Sequence, residues 1–379
     1  MDPPLERDDT PADTVAGMSS DVALRAVAPA QPPGRGPTSG VRAAFGAGFR
    51  RYSTYRQAAI AGAFTNTIFG SIKFGILSAM AASSGGKVAG YDRATLSTYR
   101  YGRGDLTTQL SAIDMWRATW TPADGPATVH AWWSPRRVDA EAWGPGASWL
   151  LDRIPSMTGA ADPGYDCPPD AHPAISAAHR NNPGLRLGAS GALYHELLPI
   201  ILAQRVTSIE ANRQWRQLTA RLGQPAPGPN PTLRLPPAPA ALSGKPAWWY
   251  HPLGIEAKRA DALRTVARHA DRIHEWSLGS SAQAAQRLAL LPGIGVWTIG
   301  SVCGPVFGDA DAVPVGDYHI KNTVSWALAR EPRGTDERML QLLEPYAGQR
   351  GRVIALLSRD GNAAPKFGPR QRIQPIHRR

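Results

Sequence analysis

Leu290-Leu291-Pro292-Gly293-Ile294-Gly295-Val296-Trp297-Thr298 is the stretch that decides how this chain folds. Helical apolar spacing (Ala284, Ala285, Leu288) precedes it, and another apolar run follows. Two glycines one residue apart allow a tight corner that no side chain obstructs. A helix opening at the end of that corner has first amides without intrahelical acceptors, and these make an anion site. Phosphate suits such a site and is gripped without any reading of bases. Alone, the pattern fits an ordinary corner between two helices better.

Downstream, Gly308-Asp309-Ala310-Asp311-Ala312-Val313-Pro314-Val315-Gly316-Asp317-Tyr318-His319-Ile320-Lys321 sets a carboxylate at the start of another helix, where Asp317 also reads as an N-cap. Together these segments resemble the helix-hairpin-helix superfamily of DNA glycosylases, and within it the bacterial inducible 3-methyladenine DNA glycosylases. Leu291–Thr298 matches the family's hairpin pattern Leu-Pro-Gly-Ile-Gly-x-Trp-Thr. Asp317-Tyr318-His319-Ile320-Lys321 matches the setting of its catalytic aspartate, and Ile200–Thr207 its Ile-Leu-x-Gln-x-Val-Ser segment.

The resemblance spans about residues 105–379. It implies a mostly α fold with a small α+β N-terminal subdomain. The implied activity is that of a monofunctional DNA glycosylase, hydrolysing the N-glycosidic bond of damaged, alkylated bases during base-excision repair. Asp317 is the implied catalytic carboxylate, with Trp297, Tyr318 and Gln204 in the substrate pocket. Pro292, Gly293, Ile294, Gly295, Thr298, Arg205 and Lys321 are the implied DNA contacts. Arg205 falls where the inducible enzymes carry an apolar wedge. Members that also cut the backbone carry a nucleophilic lysine at the place of Trp297, so no lyase step is implied. No cofactor is expected, although the resemblance allows a monovalent cation on carbonyls of the 291–296 hairpin. The partner is double-stranded DNA, bound by a monomer. An alternative is a non-catalytic, sequence-independent DNA-binding protein that uses the hairpin as a phosphate clamp.

The chemistry agrees with these residue types. Losing the base leaves an oxocarbenium-like sugar, which a carboxylate stabilises while orienting or deprotonating water. An alkylated purine is already cationic, so it leaves without much protonation and stacks on electron-rich rings. Asp309 and Asp311 are rival carboxylates, expected to be solvated in their loop. His195 and His319 read as core or surface histidines. No His or Cys cluster has metal-ligand spacing.

Composition sets the outer limits. The 379 residues carry 42 basic and 30 acidic side chains, a net charge of +12, which suits an anionic partner. Only Cys167 and Cys303 occur, which excludes a disulfide framework, a four-cysteine zinc site and a cysteine-ligated iron–sulfur cluster. The acidic start Met-Asp-Pro-Pro-Leu-Glu lacks the apolar core of a signal peptide, and a cytoplasmic, nucleoid-associated protein is expected.

Residues 1–40, with seven prolines and no aromatic residue, read as disordered. Residues 41–104 form an apolar helical segment. Within it, 57–82 bear Lys73 as their only charge, and Ile60, Phe64, Ile68, Ile72 and Ile76 form one stripe. That length fits either a membrane tether flanked by Arg50, Arg51 and Arg56 or a plain amphipathic helix. Tyr55–Tyr91 resembles the N-terminus of ABC exporter permease subunits. Alternation in Trp116–Thr121 and Val129–Trp133 around Asp124-Gly125 predicts a β-hairpin within a small domain at 105–183. A helical core is expected over 184–360, with a capping box at Thr207 and Glu210, an extended Pro-rich connection at 223–246 and the helix-hairpin-helix at about 281–305. Residues 361–379 form a basic tail.

Overall fold

The computed structural model describes residues 93–134, 137–362 and 364–365. The expectations for 1–40, for 57–82 and for the tail beyond residue 365 lie outside the described residues. A short helix α1 (Arg93–Ser97) leads into an antiparallel sheet ordered β1 (Thr108–Leu110), β2 (Asp114–Thr121), β3 (Gly125–Ser134), β4 (Arg137–Trp143). The β2–β3 turn is the hairpin predicted at Asp124-Gly125. Thr121 pairs with Gly125, which takes φ +83°. The Thr121 hydroxyl accepts from the Asp124 amide and donates to its carboxylate.

Period-two alternation gives the sheet two unlike faces. Met115, Val129, Ala131 and Ala140 pack with Leu96, Tyr99 and helices α2 (Ala147–Asp152) and α3 (Ile154–Met157). The core of this subdomain therefore reaches back beyond residue 105. Arg117 and Thr119 share the buried face, whereas Trp116 and Trp120 lie half-buried on the other. The polar side of β2 is inside because its charge is answered there. Arg117 donates to Glu196, to the Tyr99 carbonyl and to the Thr108 hydroxyl.

The rest is helical: α4 (Pro173–Asn181), α5 (Leu193–Leu202), α6 (Ser208–Leu222), α7 (Pro239–Ser243), α8 (Ala247–Tyr250), α9 (Ala257–Arg268), α10 (Ala270–Ser277), α11 (Ser281–Leu288), α12 (Val296–Phe307), α13 (Ile320–Ala329), α14 (Asp336–Leu343) and α15 (Arg350–Arg359). Every residue of α5 is buried, as an almost wholly apolar helix requires. It packs with α6, α9, α10 and α12 in the main core. A second cluster joins Ile175 of α4 to Val324, Met339 and Val353 of α13, α14 and α15, so α4 packs with the C-terminal helices rather than the sheet.

Two local expectations are corrected. Residues 223–246 are not simply extended: Ala226 donates to the Leu233 carbonyl, Pro225 bridges to Arg234, and α7 follows. At α6 only half a capping box forms. The Thr207 hydroxyl accepts from the Glu210 amide, but the Glu210 carboxylate turns inward to Gln214. Among the described residues, no helix is long and apolar enough to cross a membrane.

Candidate active site and nucleic-acid interface

A complete capping box between Ser280 and Gln283 starts α11, and the chain turns after Leu288. The Ile294 amide closes on the Leu291 carbonyl at 3.1 Å. Leu291 and Ile294 are buried and clip the corner to the main core, so Ile294 can offer a ligand only its backbone. Gly293 stands at φ +86°, and a Cβ there would lie 2.8 Å from Ala262 Cβ. Backbone conformation and space both demand glycine. Gly295 is the N-cap of α12, and no side chain caps that helix, so its first amides stay available to an anion. Pro292 and Gly293 are exposed beside them.

Gln204 ties the end of α5 to this corner. Its Nε2 donates to the Gly293 carbonyl and to Thr298 Oγ1, both at 2.9 Å. The sequence placed Gln204 in the pocket; the structure spends its amide nitrogen on the hairpin instead. The Thr298 side chain is buried with its hydroxyl taken, so a DNA contact from Thr298 could come only through its backbone amide. Arg205 follows at φ +58°, exposed, with no ion-pair partner among the described residues. A non-glycine residue held left-handed costs on the order of 1–3 kcal/mol, and such strain gathers at functional sites.

Asp317 is fixed from two sides. Its Oδ1 accepts from the amides of His319 (2.8 Å) and Ile320 (3.0 Å), capping α13, and its Oδ2 accepts from Trp297 Nε1 at 3.1 Å. Trp297 lies in the first turn of α12, so a single helix carries the uncapped amides and the partner of the carboxylate. Farther along α12, a Cβ on Gly300 would strike the Val313 carbonyl, which shows how closely the loop leading to Asp317 is laid on the helix. The hairpin and the carboxylate are therefore adjacent.

No protein-family model matches the chain, and no curated protein matches it by sequence. Solved structures do match. The 3-methyladenine DNA glycosylase from Archaeoglobus fulgidus aligns with TM-score 0.59 at 14% identity, over 72% of this chain and 96% of that one. An 8-oxoguanine glycosylase/lyase from Clostridium acetobutylicum, in complex with double-stranded DNA, aligns with TM-score 0.51 at 12% identity, over 68% and 89%. The fold is that of the helix-hairpin-helix DNA glycosylases.

On this glycosylase fold the remaining expected residues take distinct places. Tyr318 is 75% exposed, its ring set edge-on to His319 at 5.0 Å. Lys321 pairs with Asp336 at 3.1 Å, so its ammonium is already neutralised by a neighbour. The rival carboxylates are not solvated as expected. Asp309 accepts from the Ser281 hydroxyl and the Asp311 amide. Asp311 accepts from the amides of Gly348 and Arg350 and from the Arg350 guanidinium, which holds its carboxyl below the usual range. Both aspartates bolt the 308–317 loop to its surroundings and leave Asp317 as the carboxylate beside α12. Sequence reading missed Gly300 and Arg350. Glycine inside an apolar helical run signals close backbone approach, but nothing marks Arg350.

Proposed function

We propose that this chain is a monofunctional DNA glycosylase that hydrolytically removes alkylated bases from double-stranded DNA. The pairing of Asp317 with Trp297, one turn from the uncapped start of α12, carries the proposal. The amides at the hairpin take a phosphate, which sets the strand beside the carboxylate. A flipped nucleotide brings its sugar to Asp317 at a cost of a few kcal/mol in lost stacking. The two amides occupy Oδ1, and Oδ2 keeps a lone pair beyond its contact with Trp297. Oδ2 can face the developing oxocarbenium charge and accept a proton from water. The indole of Trp297 offers an electron-rich face to a cationic base, which favours alkylated purines over neutral lesions.

Base removal stops at hydrolysis because, among the described residues, none sets a free amine beside Asp317. Where a lyase needs a lysine this chain has Trp297, and nearby Lys321 is held by Asp336. Arg205 is the side chain positioned to fill the vacated space or to meet phosphate.

Asp317→Asn keeps an oxygen to cap α13 while removing the charge. Base release from alkylated duplex should fall more than about a hundredfold, with affinity for undamaged duplex within a few-fold. Unchanged release by the variant would refute the catalytic role. Duplex binding without release by the unaltered protein would instead point to a non-catalytic phosphate clamp.

A further inference from the structure

A groove of about 490 Å³ runs between the 102–104 loop and α6, lined by Gly104, Asn212, Arg213, Arg216, Gln217 and Ala220. It contains no carboxylate. The loop above it is built with unusual economy of motion. Asp105, almost fully buried, accepts from the amides of Tyr101 and Thr107 and from Trp215 Nε1 of α6. Arg100 spreads its guanidinium over the carbonyls of Gly102, Arg103 and Leu110. Gly102, at φ +86°, comes so close to α6 that a Cβ would sit 2.8 Å from the Asn212 side chain, and one on Gly104 would meet Arg216 Cδ at 2.9 Å.

This bracing sets two exposed cations at the groove, Arg103 on the loop and Arg216 in the lining. Arg103 and Arg216 are exposed and make no ion pair among the described residues. Arg213 is not one of them: its Nη2 is buried and lies 3.8 Å from Glu210, which answers its charge. Guanidinium groups left without carboxylates on a rigid frame suit phosphate, which they take bidentately. The helix that lines the groove begins three residues after Arg205. From Ser208 to Arg216 the helix advances roughly 12 Å at 1.5 Å per residue.

We propose that the groove between the 102–104 loop and α6 is a second backbone site for duplex DNA, gripping phosphates that flank the flipped nucleotide through Arg103 and Arg216. The proposal rests on the reading of the chain as a DNA-binding glycosylase, but it assigns the grip to the sheet-bearing part of the protein as well as to the hairpin. It makes the junction between subdomains part of the footprint.

The test is fluorescence anisotropy of the full chain on an undamaged 24-base-pair duplex, between about 50 and 200 mM salt. Arg103→Gln/Arg216→Gln should weaken binding about tenfold near 0.1 M salt. It should also lower the slope of log affinity against log salt by close to two, since each lost phosphate contact removes about 0.9. Arg180→Gln/Arg272→Gln removes the same charge from exposed positions elsewhere and should leave the slope nearly unaltered. Equal losses in both double variants would show a net-charge effect and overturn the site. So would an unchanged slope in the first variant. Failure of the unaltered chain to bind duplex at all would bring down the glycosylase reading together with this one, whereas binding with an unchanged slope would remove this site alone.

Discussion

His195 lies wholly out of water, between two threonines and an arginine. Thr119 Oγ1 and Arg117 Nη2 approach its Nδ1 at 3.1 and 3.3 Å, and Thr107 Oγ1 its Nε2 at 3.2 Å. Burial, aided by the Arg117 charge, holds its pKa well below the usual 6.5, so the ring stays neutral in the fold. The unfolded chain binds a proton below pH 6.5 that the folded chain refuses, so stability is full above that pH and declines as pH falls through it. Burial raises the carboxyls of Glu196 and Asp105, which has the opposite sign at lower pH. Comparison with His195→Gln isolates the imidazole. The stability gap between the two proteins should shrink by about 1.4 kcal/mol between pH 7.5 and 5.5. A gap that stays constant in urea titrations would sink this account. The sequence reading offered core or surface for this histidine, and the structure makes it core. Its partner Arg117, 78 residues away, left no trace in the local pattern.

At the scale of the element, α12 acts as a beam with the hairpin at one end and the Asp317 loop along its side. Gly300 and Gly304 look alike in sequence, yet their surroundings differ. A Cβ on Gly300 would run into the Val313 backbone, whereas one on Gly304 would meet nothing within 4 Å. Gly300→Ala should therefore cost about 1–3 kcal/mol by overpacking and displace the loop that carries Asp317. Base release should drop at least tenfold while binding of undamaged duplex changes little. Gly304→Ala should instead stabilise the protein by roughly 0.5–1 kcal/mol, since alanine suits a helix interior better. Thermal melts and single-turnover kinetics separate the two, and matching behaviour would contradict the packing described here. Hairpin and helix were legible because glycine spacing and apolar periodicity are local. The 308–317 loop was not, because its aspartates find partners 28 and 39 residues away at Ser281 and Arg350.

On the scale of the whole described molecule, the sheet and the helices are joined by the ion pair of Arg117 and Glu196, with both side chains at or below 1% exposure. Tyr101 adds a hydrogen bond to the same carboxylate at 2.9 Å. Glu196→Gln would strand a buried guanidinium and should cost about 3–5 kcal/mol, read from the urea midpoint. Replacing both partners together, as Arg117→Met/Glu196→Leu, should recover most of that loss, because packed apolar groups need no counter-charge. If the double variant is no better than the single one, the pair is not the junction its geometry describes. A small sheet followed by a helical core could be read from periodicity. The register between them depends on this long-range pair, which periodicity does not encode.

One consequence follows from the bond between Gln204 and Gly293. With α5 enclosed on every side and its end fastened to the corner, Arg205 is tied to the uncapped amides of α12. A duplex moving across such a gauge must itself yield to fit. On the proposed reading, damage is found by the compliance of the double helix, with the weakest-stacked pair opening first, rather than by a closing movement of the protein.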